Sequence, residues 1–164
     1  MEVDKSEFIR ILSENNTIIN KICFGYTNND EDRKDLRQDI LVQLWKAYPS
    51  FNHQSRISTW IYRIALNTAI SNFRKTKRTI QESALSQSNY QIPDIDESKD
   101  LSDNIAVLYQ LIHKLNDLDK AIMLLYLDDQ SYKEIAEIVG ISETNVATKI
   151  NRIKSKLRNQ YNNN

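Results

Sequence analysis

Polar and basic side chains recur along one face of a helix that the sequence predicts near its C-terminus. The apolar residues follow helical spacing and predict one buried stripe of Val146, Ile150, Ile153 and Leu157. The side chains that this arrangement leaves facing outward are Thr144, Asn145, Thr148, Lys149 and Arg152. Asparagine can pair with adenine through two hydrogen bonds, arginine or lysine can pair with guanine, and threonine offers a methyl or a hydroxyl. These residue types indicate a helix that reads base edges in the major groove of DNA. The cations that follow are better placed for phosphates: Lys154, Lys156 and Arg158.

The segment before this helix has the pattern that would position it. Ser131 and Glu134 form an S-x-x-E capping box, which predicts the start of a short helix. Gly140 is placed to stop that helix, and Ser142 to cap the next one. A short helix, a glycine turn and a longer helix are typical of a helix-turn-helix. The alternative is a pair of packed helices that merely happen to be basic, which requires both caps, the glycine and the basic face to coincide.

The charges are segregated along the chain, although the formal net charge of the 164 residues is zero. No acidic residue occurs from Ile40 to Gln81, and this tract contains seven cations. They are Lys46, Arg56, Arg63, Arg74, Lys75, Lys77 and Arg78. A second acid-free tract, with five cations, runs from Asn145 to the C-terminus. Either tract alone could be a solvated helix face, but two such tracts on predicted helices favour a polyanionic partner.

The composition favours helices and argues against several other classes of protein. Only two glycines and two prolines occur, so helix breakers and the tight turns of an antiparallel sheet are scarce. One cysteine, Cys23, and two histidines far apart, His53 and His113, rule out a disulfide framework and argue against a metal site. We find no phosphate-cradling glycine loop and no nucleophile motif, so we expect no catalytic residue, no cofactor and no metal. Neither a signal peptide nor a membrane-spanning apolar stretch is evident, which predicts a cytoplasmic protein without membrane insertion.

Helical periodicity fails between residues 78 and 103. This segment is rich in serine, contains Pro93 and carries six acids, so we interpret it as an acidic linker. The predicted fold class is therefore all-α, with two small helical domains at 5–77 and 104–160 joined by this linker.

Three helices are predicted in the first domain. Apolar spacing from Phe8 to Ile22 predicts one helix that also holds Cys23 as a buried, inert thiol, and a second helix is predicted over 32–48 and ended by Pro49. A third helix, over 58–78, is predicted to begin with Ser58 as its N-cap. Its inward face is predicted to hold Ile61, Ile64, Ala65 and Thr68, and its polar face Arg63, Asn67, Ser71 and Arg74. In the second domain, Asn116 or Asp117 is expected to cap the helix that precedes the helix-turn-helix.

These segments resemble the extracytoplasmic-function (ECF) RNA polymerase sigma factors of bacteria. In the first domain the resemblance lies in DLRQDILVQLWKAYPSF and STWIYRIALNTAISNFRK, where the family shows a D-x-x-Q-E-type helix and a T-W-L-Y-R-I-A-R-N-type helix. In the second it lies in LNDLDKAIMLLYLDDQSYKEIAEIVGISETNVATKINRIKSKL. Leu66 stands where many members have arginine, and Gln38-Asp39 stands near the usual Gln-Glu. The resemblance implies a sigma region 2 helical bundle, a sigma region 4 helix-turn-helix, and a transcription initiation factor that is not an enzyme.

The resemblance also implies partners and site residues. The partners are core RNA polymerase and promoter DNA, with an anti-sigma factor as a further candidate. The minus-thirty-five duplex would be read by Thr144, Asn145, Thr148, Lys149, Arg152 and Lys156. The melted minus-ten strand would be read by Asn52, His53, Ser55, Arg56, Trp60, Arg63, Asn67 and Arg74. The polymerase would be bound by Asp35, Leu36, Asp39 and Gln43.

Several alternatives remain open at this point. Asp35 and Asp39 could be an i, i+4 acidic pair that only aids solubility, and Trp60 could pack in the core instead of contacting a strand. The acids of the linker could mimic nucleic acid in the polymerase cleft or belong to a solvated tether. Two other function classes also compete: a free-standing helix-turn-helix regulator that binds a palindrome unaided, and a helical adaptor that binds proteins only.

Overall fold

The computed structural model describes residues 4–83 and 102–163. Within these ranges the chain forms eight α-helices and one 3₁₀ turn, without a β-strand, which confirms the predicted all-α class. The helices are α1 (Lys5–Glu14), α2 (Asn16–Tyr26), α3 (Asp30–Ala47), α4 (Ile57–Ser83), α5 (Ser102–His113), α6 (Asp117–Leu127), α7 (Tyr132–Val139) and α8 (Glu143–Asn162), and the 3₁₀ turn Tyr48–Ser50 follows α3. The chain divides into two compact units, Met1–Pro93 and Asp94–Asn164. No helix in the described ranges has both the length and the apolar character needed to cross a membrane.

The N-terminal unit is built on α4, which packs against both α2 and α3. The buried apolar side chains of this unit are Phe8, Ile19, Ile22, Cys23, Tyr26, Leu36, Ile40, Leu44, Ile61, Tyr62, Ala65, Leu66 and Ala69. Leu66 therefore belongs to the core at the position where many family members have arginine. Burial raises the pKa of the Cys23 thiol to about 11, so the thiol stays protonated at neutral pH, in keeping with the inert role predicted for it.

The first predicted helix is in fact two helices that meet at Asn15. The carbonyl oxygen of Ile11 accepts two hydrogen bonds from Asn15, one from its backbone N–H at 3.1 Å and one from its side-chain Nδ2 at 2.9 Å, which closes the end of α1. The start of α3 was also predicted wrongly, two residues after the observed start at Asp30. Asn29 caps α3 by accepting a hydrogen bond from the backbone N–H of Asp32 at 2.8 Å, so Asp30 already lies in the helix.

The long helix α4 exceeds its prediction at both ends. Its first turn is closed by the N–H of Trp60, which donates to the carbonyl of Arg56 at 3.1 Å, so Ser58 lies inside the helix and the N-cap prediction was wrong. The helix continues to Ser83 because no glycine or proline interrupts that stretch. Residues 84–101 of the predicted linker lie outside the described residues.

The buried face of α4 also differs from the prediction. Ile61 and Ala65 are buried as expected, whereas Ile64 and Thr68 are only half-buried. Tyr62, Leu66 and Ala69 are buried instead. The sequence pattern predicts a single stripe, but α4 packs against two helices and therefore buries a wider face.

The C-terminal unit follows the predicted signals closely. Asn116 caps α6, and Ser131 and Glu134 form the capping box of α7, with backbone-to-side-chain distances of 2.8 and 3.1 Å. Gly140 ends α7 with a φ of 78°, and no atom lies within 4 Å of a Cβ placed there, so the left-handed backbone rather than space selects glycine. Ser142 caps α8, accepting a hydrogen bond from the N–H of Asn145 at 3.1 Å.

The core of this unit forms where α6, α7 and α8 meet. All four residues of the stripe predicted for α8 are buried: Val146, Ile150, Ile153 and Leu157. They pack in a unit whose other buried apolar residues include Leu111, Ile112, Leu115, Ala121, Ile122, Leu124, Leu125, Ile135 and Ile138. The helix-turn-helix thus rests on a continuous apolar core.

One buried side chain of α6 is ionisable. Lys120 is 2% exposed, and its burial lowers the pKa of the ammonium from 10.5 to about 8, although the negative charge of Asp117 opposes this change. The folded unit therefore releases this proton at a lower pH than the unfolded chain does. The charged ammonium disfavours folding below pH 8, and this cost disappears as the pH rises from about 8 to 10.5.

We expect the Lys120→Met variant to show a weaker pH dependence than the unaltered protein. The free energy of unfolding of the C-terminal unit should rise between pH 8 and 10.5 by on the order of 1 to 3 kcal/mol in the unaltered protein, and this rise should be absent from the variant. Urea unfolding across this pH range measures the difference. Lys133→Met, which removes an exposed lysine of α7, is the control and should keep the rise. An identical pH dependence in the Lys120 variant would contradict the prediction.

Candidate nucleic-acid interface

The face of α8 opposite its buried stripe is polar and basic, as predicted. Five of the six residues assigned to duplex reading are exposed there, namely Thr144, Asn145, Thr148, Arg152 and Lys156. Their exposure follows from the helical repeat, because burying one side of α8 turns the other side to solvent. The N-terminal turns of α8 thus present an amide, two threonines and a guanidinium to a partner.

Local hydrogen bonds determine which polar groups of this face remain available. The Thr148 hydroxyl donates to the carbonyl of Thr144 at 3.1 Å, so its lone pairs and its methyl group face outward. Thr148 can therefore accept a hydrogen bond or contact a thymine methyl, but it has no proton to donate in this arrangement. The cap at Ser142 uses the backbone N–H of Asn145 and leaves the Asn145 side-chain amide in solvent.

Two lysines on the flanks of α8 contact α6. Lys149, the sixth predicted duplex reader, is half-buried, and its Nζ lies 3.7 Å from Oδ1 of Asp119. Lys154 Nζ lies 4.3 Å from the ring centroid of Tyr126, within the range of a cation–π interaction. Sequence reasoning missed both contacts, because no local pattern joins residues that are 28 or 30 positions apart.

In the N-terminal unit, the loop before α4 holds four of the residues assigned to the melted strand. Asn52, His53 and Arg56 are exposed, and Ser55 is half-buried. Asn52 Oδ1 accepts a hydrogen bond from the N–H of Gln54 at 3.2 Å, which tightens the turn. His53 has a φ of 59°, in the left-handed region that non-glycine residues rarely adopt. The loop therefore has a defined shape with an exposed imidazole at its turn.

Aromatic rings connect this loop to α4. The His53 ring lies 4.5 Å from the Phe51 ring, and Phe51 lies 5.1 Å from Trp60, measured between ring centroids. Trp60 also lies 6.2 Å from Tyr48 in the 3₁₀ turn. Trp60 is half-buried, so it supports the loop and also keeps part of its ring in solvent. The two roles considered for Trp60, packing in the core and contacting a strand, are therefore compatible.

The same array of rings continues into α1. Phe8 is buried, with its ring 5.0 Å from Tyr48 and 5.1 Å from Trp45. These distances suit tilted and edge-to-face aromatic pairs. A signal for the array was present in the spacing of Trp45, Tyr48 and Phe51, but sequence reasoning did not use it.

The remaining residues assigned to the melted strand lie along α4. Arg63, Asn67 and Arg74 are exposed, as the predicted polar face required. With the loop before α4, they form a basic and polar surface on the N-terminal unit. Lys77 and Arg78, which belong to the same acid-free tract, lie where side chains are not described.

On α3, three of the four residues assigned to polymerase binding are exposed: Asp35, Asp39 and Gln43. The fourth assignment needs correction, because Leu36 is 5% exposed and packs in the core between α3 and its neighbours. Asp39 also accepts a hydrogen bond from Asn72 Nδ2 of α4 at 2.7 Å, so it is not simply a solvated acid. Sequence reasoning missed two exposed apolar residues of this helix, Val42 and Trp45, which are 43% and 37% exposed.

Within the described part of the chain, no group of three or more histidine, cysteine or acidic side chains is arranged to hold a metal ion.

Comparisons with known proteins agree with this arrangement. The family model for Sigma-70 region 2 matches residues 13–79, and the model for Sigma-70, region 4 matches residues 105–157. RNA polymerase sigma factor YlaC of Bacillus subtilis (strain 168) is 32% identical over 141 residues, covering 82% of this chain and 80% of that protein. ECF RNA polymerase sigma factor SigW of the same strain is 29% identical, covering 96% and 90%. The sigma factor RpoE of Bartonella quintana, solved with the anti-sigma factor NepR, superposes with a TM-score of 0.69 at 23% identity and 94% coverage of both chains.

The chain therefore belongs to the ECF family of RNA polymerase sigma factors. It is a promoter-specific transcription initiation factor, and its partners are core RNA polymerase and promoter DNA. This membership decides against the free-standing regulator and the protein adaptor, since both region 2 and region 4 are present.

The ring contacts generate a prediction about Phe51. We expect Phe51→Ala to expose Trp60 and loosen the loop. The free energy of unfolding should fall by about 1 to 2 kcal/mol, because the Phe51 ring is only half-buried. In a Trp45→Phe background, acrylamide quenching of fluorescence reports on Trp60 alone. Quenching should increase and the emission should shift to longer wavelength. Phe24→Ala, which removes a partly exposed ring of α2, is the control and should leave both signals unchanged. Unaltered quenching in the Phe51 variant would show that Trp60 does not depend on this ring.

Proposed function

We propose that this sigma factor reads a promoter through two separate surfaces. α8 would read the minus-thirty-five duplex, and the loop before α4 together with the exposed face of α4 would read the melted minus-ten strand. The observation that carries this proposal is that each unit buries one side of a basic helix and exposes the other. Two such surfaces match a partner that is duplex in one place and single-stranded in another.

The duplex reading rests on the residue types along α8. Arg152 projects from the middle of the exposed face, where a guanidinium can form two hydrogen bonds with guanine. Asn145 can do the same with adenine, and Thr148 can meet a thymine methyl. Lys156, with Arg158, lies nearer the C-terminal end of the helix, where phosphate contacts are the more suitable role.

The strand reading rests on the loop of residues 51–56 and its aromatic support. A base that leaves the stack needs a polar pocket for its edge and a ring for its face. Asn52, His53 and Ser55 supply polar groups, and the exposed part of Trp60 supplies a ring. Arg56 and two of the exposed cations of α4, Arg63 and Arg74, would hold the strand's phosphates, and Asn67 lies between these two arginines.

Polymerase binding is assigned to the exposed side of α3. Asp35, Asp39 and Gln43 provide polar contacts, and Val42 provides an exposed apolar residue among them. A mixed surface of this kind is typical of protein interfaces, in which an apolar centre is surrounded by a polar rim. Leu36 supports this surface from within the core. Phosphodiester chemistry would belong to the polymerase, and this chain would act without cofactor or metal, in the cytoplasm. An anti-sigma factor is a further expected partner, as in the solved RpoE complex.

Two arginines of α8 test the duplex assignment. In holoenzyme, Arg152→Ala should weaken the binding free energy for the preferred promoter by about 1 to 3 kcal/mol. It should also relax the base preference at one minus-thirty-five position. Arg158→Ala should weaken all promoters alike and reduce the salt dependence of binding by about one counterion. Transcription from a library randomised over the minus-thirty-five element, repeated at several salt concentrations, separates the two effects. If variants at Arg152 and Asn145 both left the preferred element unchanged, α8 would not be the duplex reader.

A charge reversal tests the polymerase assignment. Asp35→Lys should weaken binding to core polymerase about tenfold, equivalent to about 1.4 kcal/mol, while the thermal stability of the N-terminal unit stays nearly constant. Asp35 tests this assignment more cleanly than Asp39 does. Asp39 also accepts a hydrogen bond from Asn72, so reversing the charge of Asp39 would disturb the contact between α3 and α4. Glu14→Lys on α1 is the matched control, since it reverses another exposed acid of the same unit. Equal polymerase affinity for the two variants would remove Asp35 from the interface.

A further inference from the structure

The ion pair between Asp119 and Lys149 joins the N-terminal turn of α6 to α8. Lys149 Nζ lies 3.7 Å from Asp119 Oδ1, and both side chains are half-buried. Lys149 stands four residues after Asn145 and three before Arg152, so it borders the exposed face of α8. An acid of another helix thus engages a cation that lies beside the proposed base-reading residues.

The carboxylate of Asp119 is held in place by a second set of bonds. Its Oδ2 accepts a hydrogen bond from Asn116 Nδ2 at 3.1 Å, while its backbone N–H donates to Asn116 Oδ1 at 2.9 Å. The cap of α6 therefore orients one carboxylate oxygen, and the other oxygen faces Lys149. An acid that is fixed in this way loses little further side-chain freedom when it pairs with a lysine.

A lysine released at this position would act differently from the other residues of the face. Its ammonium is a point charge on a flexible stem, which can reach any nearby phosphate and distinguishes no base geometry. On a scrambled element, where no base contact fixes the position of α8, the helix can shift until this ammonium meets a phosphate. Such a contact would therefore strengthen nonspecific binding more than binding to the preferred duplex. Restraint of Lys149 therefore favours sequence selectivity over total affinity.

We propose that Asp119 is a specificity-determining residue that holds Lys149 away from the duplex. Lys149 then acts as a positioning residue that ties α8 to α6, and Arg152, Asn145 and Thr148 read the bases. Lys154, held over the Tyr126 ring, ties the other flank of α8 to the last turn of α6. This inference rests on the proposed role of α8 as duplex reader, and it changes the role assigned to Lys149.

The test uses holoenzyme reconstituted with core RNA polymerase and two promoters that share a minus-ten element. One carries the preferred minus-thirty-five element and the other a scrambled one. Asp119→Asn removes the charge but leaves an oxygen that can accept the bond from Asn116. Its affinity for the scrambled promoter should rise about fivefold at physiological salt, and the slope of log affinity against log salt should steepen by about 0.9. The ratio of the two promoter affinities should fall correspondingly.

Further variants identify Lys149 as the source of this effect. Lys149→Gln alone should leave the salt slope unchanged, because the restrained lysine contacts no phosphate. The double variant Asp119→Asn, Lys149→Gln should return to the unaltered slope. Asp129→Asn is the control for loss of one negative charge in the same unit, since Asp129 is exposed and asparagine tolerates its φ of 58°. The control should change the slope less than Asp119→Asn does.

Three results would overturn the inference. They are an unchanged slope in Asp119→Asn, a steep slope that persists in the double variant, and a slope that falls by about one in Lys149→Gln alone, which would indicate a direct phosphate contact. Arg152→Ala in the same assay separates this inference from the proposed function. If Arg152→Ala lowers the promoter ratio while Asp119→Asn does not, only the role of Asp119 is wrong. If neither changes the ratio, and Asn145→Ala leaves it unchanged as well, α8 is not the reader.

Discussion

Burial of the apolar stripe of α8 is the interaction on which the rest of the C-terminal unit depends. Val146 and Ile150 are fully enclosed, with Ile153 and Leu157 nearly so. Because an α-helix repeats every 3.6 residues, enclosing these four side chains determines which residues face outward. The polar and basic face of α8 is therefore a consequence of core packing, and no further interaction is needed to orient it. A change that rotated α8 by one residue would expose apolar side chains and bury the cations, at a cost of several kcal/mol.

In the N-terminal unit, helix packing alone does not determine the shape of the proposed site. α4 presents Arg63, Asn67 and Arg74 through burial of its opposite side, but the loop before α4 has no repeating hydrogen bonds to determine its shape. Aromatic contacts replace them, since Phe51 lies between His53 and Trp60, and the array continues through Tyr48 to Phe8 of α1. Ring contacts of this type transmit packing from the core to a surface loop. α1 therefore contributes to the packing of this loop, although Phe8 lies outside the region 2 match.

The features that were predictable from sequence are those encoded by neighbouring residues. The caps at Asn116, Ser131 and Ser142, the stop at Gly140 and the buried stripe of α8 depend on spacings of a few residues, and the structure confirms them. The errors arose where distant packing overrode local pattern. Leu36 was assigned to a surface although it belongs to the core, and α4 buries Tyr62 and Leu66 because two helices pack on it. The pairing of Lys149 with Asp119 depends on how α6 crosses α8, which local spacing does not encode.

Zero net charge is compatible with DNA binding because the fold leaves some cations exposed on one face of a helix and engages others in contacts within the protein. A uniform excess of cations would bind any duplex, and the affinity would then reflect phosphate number rather than sequence. In this chain, Asp119 and Tyr126 engage the flanking cations of α8, whereas Arg152 and Lys156 remain exposed on its outer face. Under the proposed function, the polymerase would let both surfaces engage one promoter at once, and affinity would then come from simultaneous engagement rather than from either surface alone.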